Sequence, residues 1–374
     1  MQFASDPRRS SQAAVSVAAE PSLRIHRTPP PLPPPASAAG DVGGTREAHR
    51  SITMNTRRTG AMVALAALLF TSACGGAEGA ADNADGTTKV SVTTFGCEIW
   101  NTWAIGKGVY GKHRLDVELV RSGGGSAAVA AVLSGAADFG YVNGYTAINA
   151  YNTGFPIQMV SGVNVNALPP AKPAQGVFVG KDSPIKTAAD LAGKKIAVNE
   201  INGINQIVTA SWLKANGVAP DSVSFVALPF AEQVPAVLSG RVDAAQLGYS
   251  LLGNNNDNVR SLADPFASSD KIYIATYIAA KSFVGKGDAA KRFHEAITET
   301  AQQLSDPANT DEAFRLLSEC QKVPAETLAA QPQNALEAAV DVAALDRMAQ
   351  QMVDLKMLQK KPDLGPFVTD FARS

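Results

Sequence analysis

The residues best suited to contact a small molecule lie in loops that directly follow predicted strands. Gly124, Gly125 and Ser126 come after the predicted strand Leu115–Arg121 and open a predicted helix. Backbone N–H groups at a helix N-terminus attract anions, and the Ser126 hydroxyl would add a donor, so a sulfonate or carboxylate would fit there. A plain N-cap is the alternative, because Ser is favoured at that position in any helix.

The loop after the first predicted strand holds aromatic, acidic and thiol side chains. Phe95 or Trp100 could stack on a ligand, Glu98 could bind an amine or a ring N–H, and Cys97 lies in the same loop. Burial in the core of the first helix is the alternative for Trp100. It is the expectation for Trp103, because aromatic side chains pack more often than they bind ligands.

Amides follow two further predicted strands. Asn143 either caps the next helix or hydrogen-bonds a ligand. Asn199, Glu200 and Asn202 stand between a strand and a helix without an obvious role in a turn. Gly203, next to them, permits a close approach of the backbone. We predict ligand contacts from Asn143, Asn199, Asn202 and Gly203.

An aromatic and a cationic residue complete the predicted pocket. Tyr249 follows another predicted strand and is predicted to contact the ligand. Arg121 ends a strand beside the Gly-rich turn and is the best cationic partner for an anion, with a solvated surface Arg as the alternative. The predicted pocket is aromatic and rich in amides, which favours a small organic ligand over bare nitrate.

Composition excludes several other classes of function. The 374 residues carry 33 basic and 34 acidic side chains, a net charge of -1, which gives no reason to expect a nucleic-acid partner. Three Cys form no C-x-x-C pair. Two of the four His precede residue 54, and His113 and His294 are predicted on surface helices or turns. We therefore predict no metal site and no cofactor.

The elements that must position these residues alternate between strands and helices, which predicts an α/β fold with largely parallel sheets. The predicted strands are Lys89–Phe95, Leu115–Arg121, Asp138–Val142, Ile157–Val163, Gly176–Gly180, Lys195–Asn199, Ser222–Ala227, Val242–Leu247 and Ile272–Ala280. The predicted helices are Ala127–Leu133, Ala188–Ala192, Ile204–Ala215 and Ala231–Leu238, followed from Ser282 by a helical region with breaks at Pro307, Pro324 and Pro332.

One seven-residue phrase occurs twice, 105 positions apart. Val132–Asp138 and Val237–Asp243 share the pattern Val-Leu-Ser-Gly-x-x-Asp. Both place a Gly where a helix ends and an Asp where a strand begins. This repetition predicts two similar α/β lobes, and a coincidence of two common helix–strand junctions is the alternative.

The N-terminal region is expected to lie outside the fold. Residues 1–53 contain six Pro within Pro29–Pro35 and show no apolar period, so we expect a disordered tail or an upstream extension. Residues 54–73 place Arg57 and Arg58 before the apolar segment Ala61–Phe70, which is the pattern of a signal peptide and is too short to span a bilayer. Residues 74–86 are small and polar, as in a flexible tether.

The end of this segment resembles a bacterial lipoprotein signal. In such signals cleavage leaves a lipidated Cys as the first residue, which here would be Cys74. The family pattern prefers an aliphatic residue where this chain has Thr71, and an ordinary signal peptide is the alternative. Several acyl chains on one Cys would anchor the protein stably to a membrane.

Four phrases of the remaining chain resemble solute-binding proteins of ABC importers. The resemblance is to the group that binds aliphatic sulfonates, taurine and nitrate, together with the binders of thiamine-pyrimidine precursors. It covers nearly all of residues 89–360. The phrases are Ser122–Ser126, Val132–Asp138, Phe178–Val198 and Val237–Asp243.

The resemblance implies the type II fold of periplasmic binding proteins, with two lobes, two hinge strands and the ligand in the cleft between them. Lobe 1 would comprise residues 87–178 plus 275–374, with the helical C-terminal segment packed on it, and lobe 2 residues 179–274. Many relatives carry a Trp and an acidic residue near the position of Tyr249, where this chain has no acidic residue. Cys97 and Cys320 either pair in the exported protein or remain free.

The function implied by the resemblance is ligand capture without chemistry. The protein would be an exported, lipid-anchored monomer at the outer face of the cytoplasmic membrane or in the periplasm. It would close around a small organic anion, sulfonate- or carboxylate-like, and deliver it to an ABC permease and through it to the ATPase. A ligand sensor is one alternative, and an enzyme related to pyrimidine-precursor synthesis is another. That enzyme branch uses a Cys-rich motif and a His, and neither is present in the predicted cleft.

Overall fold

A computed structural model describes residues 86–166, 174–267 and 269–373 of the chain. The predictions of a tail, a signal peptide and a lipidated Cys74 lie outside these residues. The eleven strands of the described part are β1 Thr88–Thr94, β2 Leu115–Arg121, β3 Phe139–Val142, β4 Ile157–Val165, β5 Gln175–Gly180, β6 Lys195–Val198, β7 Ser224–Ala227, β8 Ala244–Gly248, β9 Val259–Ala263, β10 Tyr273–Ala280 and β11 Ala335–Leu336.

Eleven α-helices accompany these strands in the same residues. They are α1 Ile99–Gly106, α2 Val109–Lys112, α3 Gly125–Ser134, α4 Gly144–Asn152, α5 Ile204–Ala215, α6 Phe230–Leu238, α7 Lys281–Val284, α8 Ala289–Ser305, α9 Thr310–Gln321, α10 Ala325–Ala329 and α11 Val342–Asp354. Short 3₁₀ helices cover Ala189–Leu191, Pro220–Ser222, Tyr249–Leu251, Gly253–Asn255, Pro307–Asn309 and Asp370–Arg373.

The strands form two separate sheets. The first has the order β11-β4-β10-β3-β1-β2 and the second the order β7-β6-β8-β5-β9. We call each sheet with the helices packed on it a lobe, lobe 1 for the first and lobe 2 for the second. This architecture confirms the predicted α/β fold. The lobe boundaries predicted from sequence fall inside β5 and β10 and stay a prediction.

The sheets are mixed rather than largely parallel. In lobe 1, β1 pairs in parallel with β2 and β3, but β10 runs antiparallel to both β3 and β4. In lobe 2, β6 pairs in parallel with β7 and β8, while β5 is antiparallel to β8 and β9. The expectation of mainly parallel pairing was wrong here because β4 and β9 lead the chain out of one sheet, while β5 and β10 lead it into the other. A strand that brings the chain into a sheet and a strand that takes it out at the same end of that sheet run in opposite directions.

Helices cover both faces of each sheet. In lobe 1, one apolar cluster joins the sheet to α3, α4 and α11, and a second joins the opposite face to α1, α2 and α8. In lobe 2, α5 covers one face through Leu213 and α6 covers the other through Val234 and Val237. This packing explains why the strands are buried on both faces and read as apolar segments.

The repeated Val-Leu-Ser-Gly phrase has the same structural role in both lobes. Gly135 and Gly240 both adopt positive φ, at 75° and 73°, directly after a helix. The Asp that follows then ties its strand to a neighbouring strand. Asp138 Oδ2 accepts a hydrogen bond of 2.8 Å from Ser91 N, and Asp243 Oδ2 accepts one of 2.9 Å from Lys195 N. The two lobes therefore share one βα construction, as the repetition predicts.

The lobes are in contact along α5. Ile204, Ile207 and Val208 of this helix belong to the same buried cluster as Tyr145 of α4 and Met348 of α11. Two hydrogen bonds support the contact. Gln351 Nε2 donates to Ser211 Oγ over 2.6 Å, and Lys214 Nζ donates to the carbonyl oxygen of Asp354 over 3.3 Å. One helix thus serves the core of lobe 2 with one face and lobe 1 with another.

Candidate ligand-binding site

The carboxyl ends of the parallel strands in the two lobes face a common cleft. Open α/β sheets bind ligands at this edge. A carboxylate bridges the cleft there. Glu200, which follows β6 in lobe 2, accepts a hydrogen bond of 3.0 Å at Oε1 from Ser126 N in lobe 1. The Ser126 hydroxyl donates to the same oxygen, and Thr146 Oγ1 donates to Oε2 over 3.3 Å.

Glycines line this carboxylate on both sides. A Cβ at Gly125 would lie 3.1 Å from Glu200 Oε2, and a Cβ at Gly203 would lie 3.2 Å from the same oxygen. Both contacts are tighter than ordinary van der Waals separation. Gly125 and Ser126 were predicted as the N-terminus of a helix and Gly203 as a point of close backbone approach, and the structure brings all three together around Glu200.

Asn143 caps a helix rather than projecting freely. Its Oδ1 accepts a hydrogen bond of 2.9 Å from Thr146 N, the N-capping interaction of α4. Its Nδ2 donates to Thr146 Oγ1 over 3.0 Å. Asn143 is only 7% exposed. It therefore orients the hydroxyl of Thr146, which reaches Glu200 directly.

Glu98 is engaged within its own loop, which corrects its predicted role as a partner for a ligand amine. Thr94 Oγ1 donates to Oε2 over 2.5 Å, and Asn101 Nδ2 donates to the same oxygen over 3.2 Å. The N–H groups of Phe95 and Gly96 donate to Oε1 over 2.9 and 3.1 Å. Burial raises the pKa of the Glu98 carboxyl, and these donors oppose the rise. This side chain shapes the loop from inside.

Cys97 is bonded to Cys320 of α9, with 5.9 Å between their Cα atoms. Of the two alternatives that the sequence left open, the structure has the pair. A free thiol at Cys97 is therefore not available to a ligand, which corrects that part of the prediction. Gln321 Nε2 adds a hydrogen bond of 2.9 Å to the carbonyl oxygen of Cys97. The loop between β1 and α1 is thus tied to the C-terminal helices.

The aromatic residues of this loop pack into lobe 1. Trp100 is 7% exposed, and its Nε1 donates to the hydroxyl of Tyr277 over 3.2 Å. Phe95 is only partly buried, and its ring meets Tyr141 edge-on with 4.8 Å between centroids. Trp103 is 1% exposed, which confirms its assignment to the core. The structure favours the core for Trp100 as well and leaves Phe95 as the accessible ring.

The loop between β6 and α5 contains a turn that sequence analysis did not recognise. Asn202 adopts positive φ, at 60°, which Asn tolerates better than most residues. Its N–H donates to Gln206 Oε1 over 2.7 Å. The expectation that Asn202 has no role in a turn was therefore wrong. Asn199 Oδ1 is buried, and no donor among the described residues reaches it.

Arg121 lies beside the same cleft. A Cβ at Gly96 would be 3.9 Å from its Nη2 atom, so the guanidinium passes over the loop that Glu98 shapes. The Arg121 side chain is exposed. In the part of the chain that the structure describes, no hydrogen bond or ion pair engages this guanidinium. Its charge therefore remains available to an anion.

Tyr249 lines a cavity of about 530 Å³ between the lobes. Its ring packs edge-on against Phe178 at 5.0 Å. On the other side of the cavity stand Glu326 and Thr327 of α10, with Gln331 just beyond. The Oε1 atom of Gln331 is buried without a donor among the described residues. Since β6 and β8 are neighbours, this cavity and Glu200 lie at the same edge of the second sheet.

A larger cavity of about 800 Å³ lies elsewhere on lobe 2. Ser183, Lys194, Gly240 and Asp243 line it. Lys194, Gly240 and Asp243 stand just before β6 and β8, and Ser183 follows the antiparallel strand β5, so all four lie at the end of the sheet opposite to the cleft. No residue predicted to bind a ligand lines this cavity. We place the candidate site at the carboxyl ends of the strands instead.

Glu200, Thr146 and Glu326 are the site residues that the sequence analysis left without a binding role. The signal for Thr146 was its position three residues after the cap Asn143. Glu200 was noted as polar, but its partners lie 74 and 54 positions away, so no local pattern reveals them. Glu326 has no comparable signal, because only the fold brings α10 to the cleft.

The NMT1/THI5-like family profile matches residues 102–310. The chain belongs to this family. It is 27% identical over 242 residues to binding proteins of Brucella abortus and Brucella suis, an alignment that covers 61% of this chain and 69% of each relative. The names of these relatives specify no ligand.

Solved structures share the fold. The alkanesulfonate-binding protein SsuA of Xanthomonas axonopodis, bound to MOPS, superposes with a TM-score of 0.64 at 18% identity, over 75% of this chain and 98% of that chain. The aliphatic sulphonate-binding protein SsuA of Escherichia coli gives 0.61 at 21% identity, over 75% and 96%. The nitrate-binding protein NrtA of Synechocystis PCC 6803 gives 0.60 at 16%, over 76% and 84%. The fold is that of periplasmic binding proteins.

Neither His of the described region reaches the cleft. His294 is 4% exposed, with Nδ1 at 3.1 Å from Ser161 Oγ, so its predicted surface position was wrong. The cause is the amphipathic helix α8, which turns this residue towards β4. His113 pairs with Glu299 at 2.9 Å on the far side of lobe 1. Within the described ranges no helix has the length and apolar character to cross a membrane.

Proposed function

We propose that the protein is the extracytoplasmic solute-binding component of an ABC importer. The observation that carries this proposal is the set of donors at the cleft. Ser126 N, Ser126 Oγ and Thr146 Oγ1 of lobe 1 converge on a carboxylate that belongs to lobe 2. Donors that hold one carboxylate between the lobes are suited to hold the carboxylate or sulfonate of a ligand in the same way.

The ligand is a small organic anion. We infer a sulfonate or carboxylate head group at Ser126 and Thr146, with Arg121 near enough to contribute charge. The cavity beside Tyr249 would receive the remaining, less charged part of the molecule. Sulfonate and nitrate are bound by proteins of this fold at low sequence identity, which supports an anion without identifying it.

Capture proceeds by closure of the lobes and involves no covalent step. Lobe 1 would supply Gly125 and Ser126, with Asn143 holding Thr146 in place, and lobe 2 would supply Asn199, Gly203 and Tyr249. The thiol nearest to a carboxylate in this cleft, Cys97, is already bonded to Cys320, which supports a binding role over nucleophilic catalysis. The protein would be a monomer in the cell envelope, anchored through Cys74, and would dock on a permease.

A thermal-shift screen of the purified full chain tests this function. The panel contains alkyl and aryl sulfonates, taurine, aromatic carboxylates, nitrate, riboflavin and pyrimidine precursors. A ligand at a hundred times its Kd stabilises the folded state by about 2.7 kcal/mol. For a domain of this size that raises Tm by about 5 °C or more. A shift confined to anions supports the proposal, and a shift with neutral or cationic compounds alone contradicts it.

A further inference from the structure

Glu200 occupies the place at which the proposed ligand would bind. Its carboxylate accepts hydrogen bonds from Ser126 N and Ser126 Oγ at the start of α3 and from Thr146 Oγ1. All three donors belong to lobe 1, while Glu200 follows β6 in lobe 2. These contacts therefore connect the lobes directly at the cleft.

The surroundings of Glu200 fit a carboxylate closely. A Cβ at Gly125 or Gly203 would lie only 3.1 to 3.2 Å from Oε2, so glycine at both positions lets the carboxylate fit without being displaced. The N–H of Ser126 is in the first turn of a ten-residue helix, where a negative charge is favoured. A carboxylate in this position is stabilised without a cationic partner.

Glu200 is held by neutral donors. Among the residues that the structure describes, no Lys or Arg forms an ion pair with it. The same three donors would serve the anionic head group of a ligand equally well. The carboxylate of Glu200 and the head group of the ligand therefore compete for one set of hydrogen bonds.

We propose that Glu200 is a tethered occupant of the anion site, which latches the two lobes together until a ligand displaces it. The competition with a ligand rests on the proposed function, whereas the latch between the lobes does not depend on it. A protein whose binding-competent state is only partly populated binds with an apparent affinity reduced by that fraction. An anion must therefore bind the three donors tightly enough to displace Glu200, and the latch lowers its apparent affinity.

Two consequences follow for the free protein and for binding. Without ligand, the latch protects the N–H of Ser126 from solvent. When an anion binds, it must displace Glu200, so its affinity is lower than the same donors would give without Glu200. Hydrogen bonds to charged groups are among the stronger hydrogen bonds in proteins. Loss of Glu200 should therefore change both the exchange of the Ser126 amide and the affinity for an anion by about tenfold or more.

Hydrogen–deuterium exchange of the full chain, read by mass spectrometry, tests the latch without a ligand. The peptide that covers residues 122–133 reports on Ser126. In Glu200→Ala its exchange should become about tenfold faster than in the natural protein, and Glu200→Gln should fall between the two. Glu232→Ala is the matched control, because Glu232 is an exposed carboxylate of lobe 2 that pairs with Arg241 of the same lobe at 3.1 Å.

The peptide that covers β8 shows whether each variant is folded. If Glu200→Ala loses protection there too, Glu200→Gln, which is similar in shape, decides the outcome. Unchanged exchange at residues 122–133 in a folded Glu200 variant overturns the latch. Faster exchange in the Glu232 variant as well would also overturn it, because the effect would then not depend on the contact between the lobes.

A titration with methanesulfonate, followed by the same peptide, tests the competition. Protection of residues 122–133 should appear at about tenfold lower concentration in Glu200→Ala than in the natural protein. Equal concentrations contradict the competition. Faster exchange in Glu200→Ala with no protection by methanesulfonate in either protein would confirm the latch and contradict the proposed sulfonate site. The two proposals therefore fail in different ways.

Discussion

Cys97 and Cys320 form a disulfide although 223 residues separate them in sequence. The bond joins the loop after β1 to the end of α9. This loop carries Phe95 and Glu98 at the edge of the cleft, and α9 is followed by α10, which lines the cavity beside Tyr249. One covalent link thus holds two parts of the cleft wall that the chain reaches at opposite ends of the fold.

Removal of this disulfide should destabilise the protein. A bond that closes so long a loop typically contributes about 2–5 kcal/mol to the free energy of unfolding. Urea unfolding of Cys97→Ala plus Cys320→Ala, compared with the natural protein, measures the loss. Dithiothreitol should lower the midpoint of the natural protein and leave that of the double variant unchanged. Equal stability of the two proteins would contradict a stabilising bond.

In the Glu200→Ala background, where the Ser126 hydroxyl no longer serves the latch, Ser126→Ala should weaken the binding of an anionic ligand about tenfold. The substitution removes a hydroxyl donor and retains the backbone N–H, so one of two hydrogen bonds from this residue is lost. Isothermal titration calorimetry with the anion found in the screen measures the change. Ser134→Ala, at the other end of α3, is the control, because its hydroxyl donates to Ala131 within the helix. A similar loss in both variants would argue for an indirect effect on α3.

Gly162→Ala should destabilise lobe 1 by about 1–3 kcal/mol, as expected for overpacking. A Cβ at this position would lie 2.4 Å from the carbonyl oxygen of Glu337, which is backbone and cannot rotate away. A Cβ at Gly111 in α2 would meet no heavy atom within 4 Å. Gly111→Ala should therefore stabilise the folded protein by about 0.5–1 kcal/mol. Thermal unfolding of the two variants should therefore shift Tm in opposite directions.

Asp190→Asn should alter how stability depends on pH in the acid range. Hydrogen bonds from the N–H groups of Lys186 and Thr187, with the Thr187 hydroxyl, lower the pKa of the Asp190 carboxyl. A lowered pKa means that ionised Asp190 stabilises the fold above its unfolded pKa of about 4. That contribution disappears as the pH falls through the lower folded pKa.

The check is a comparison of urea midpoints at pH 7 and at pH 2.5. The natural protein should be the more stable at pH 7, and the difference from Asp190→Asn should shrink at pH 2.5. A constant difference between natural protein and Asp190→Asn would contradict the role of the ionised carboxyl.

The fold was largely predictable because its elements carry strong local patterns. Ile204–Ala215 has an apolar period and ends before Asn216–Gly217, and α5 has these same bounds. In contrast, β9 was missed because Arg260 and Ser261 interrupt its apolar character. The structure uses Arg260 for hydrogen bonds to the carbonyl oxygens of Lys181 and Ser183, which only the folded edge of the sheet reveals.

The candidate site was predictable as a place but less so as a set of contacts. The rule that ligands bind beyond strand ends selected Ser126 and Gly203, which the structure places on either side of Glu200. Sequence patterns do not show whether a polar side chain in such a loop points outward or into its own loop, and Glu98 points inward. The bridge between Glu200 and Ser126 depends on the relative placement of two lobes, which no local pattern contains.

The apolar contact of α5 with α4 and α11 has a thermodynamic consequence. Any movement that separates these helices exposes Ile204, Ile207 and Val208 to water, and exposed apolar surface raises the heat capacity. Binding that starts from an open form of the protein, in which these helices are apart, should therefore carry a negative heat-capacity change. The enthalpy of binding would become more favourable as the temperature rises, even for a ligand whose own contacts are entirely polar.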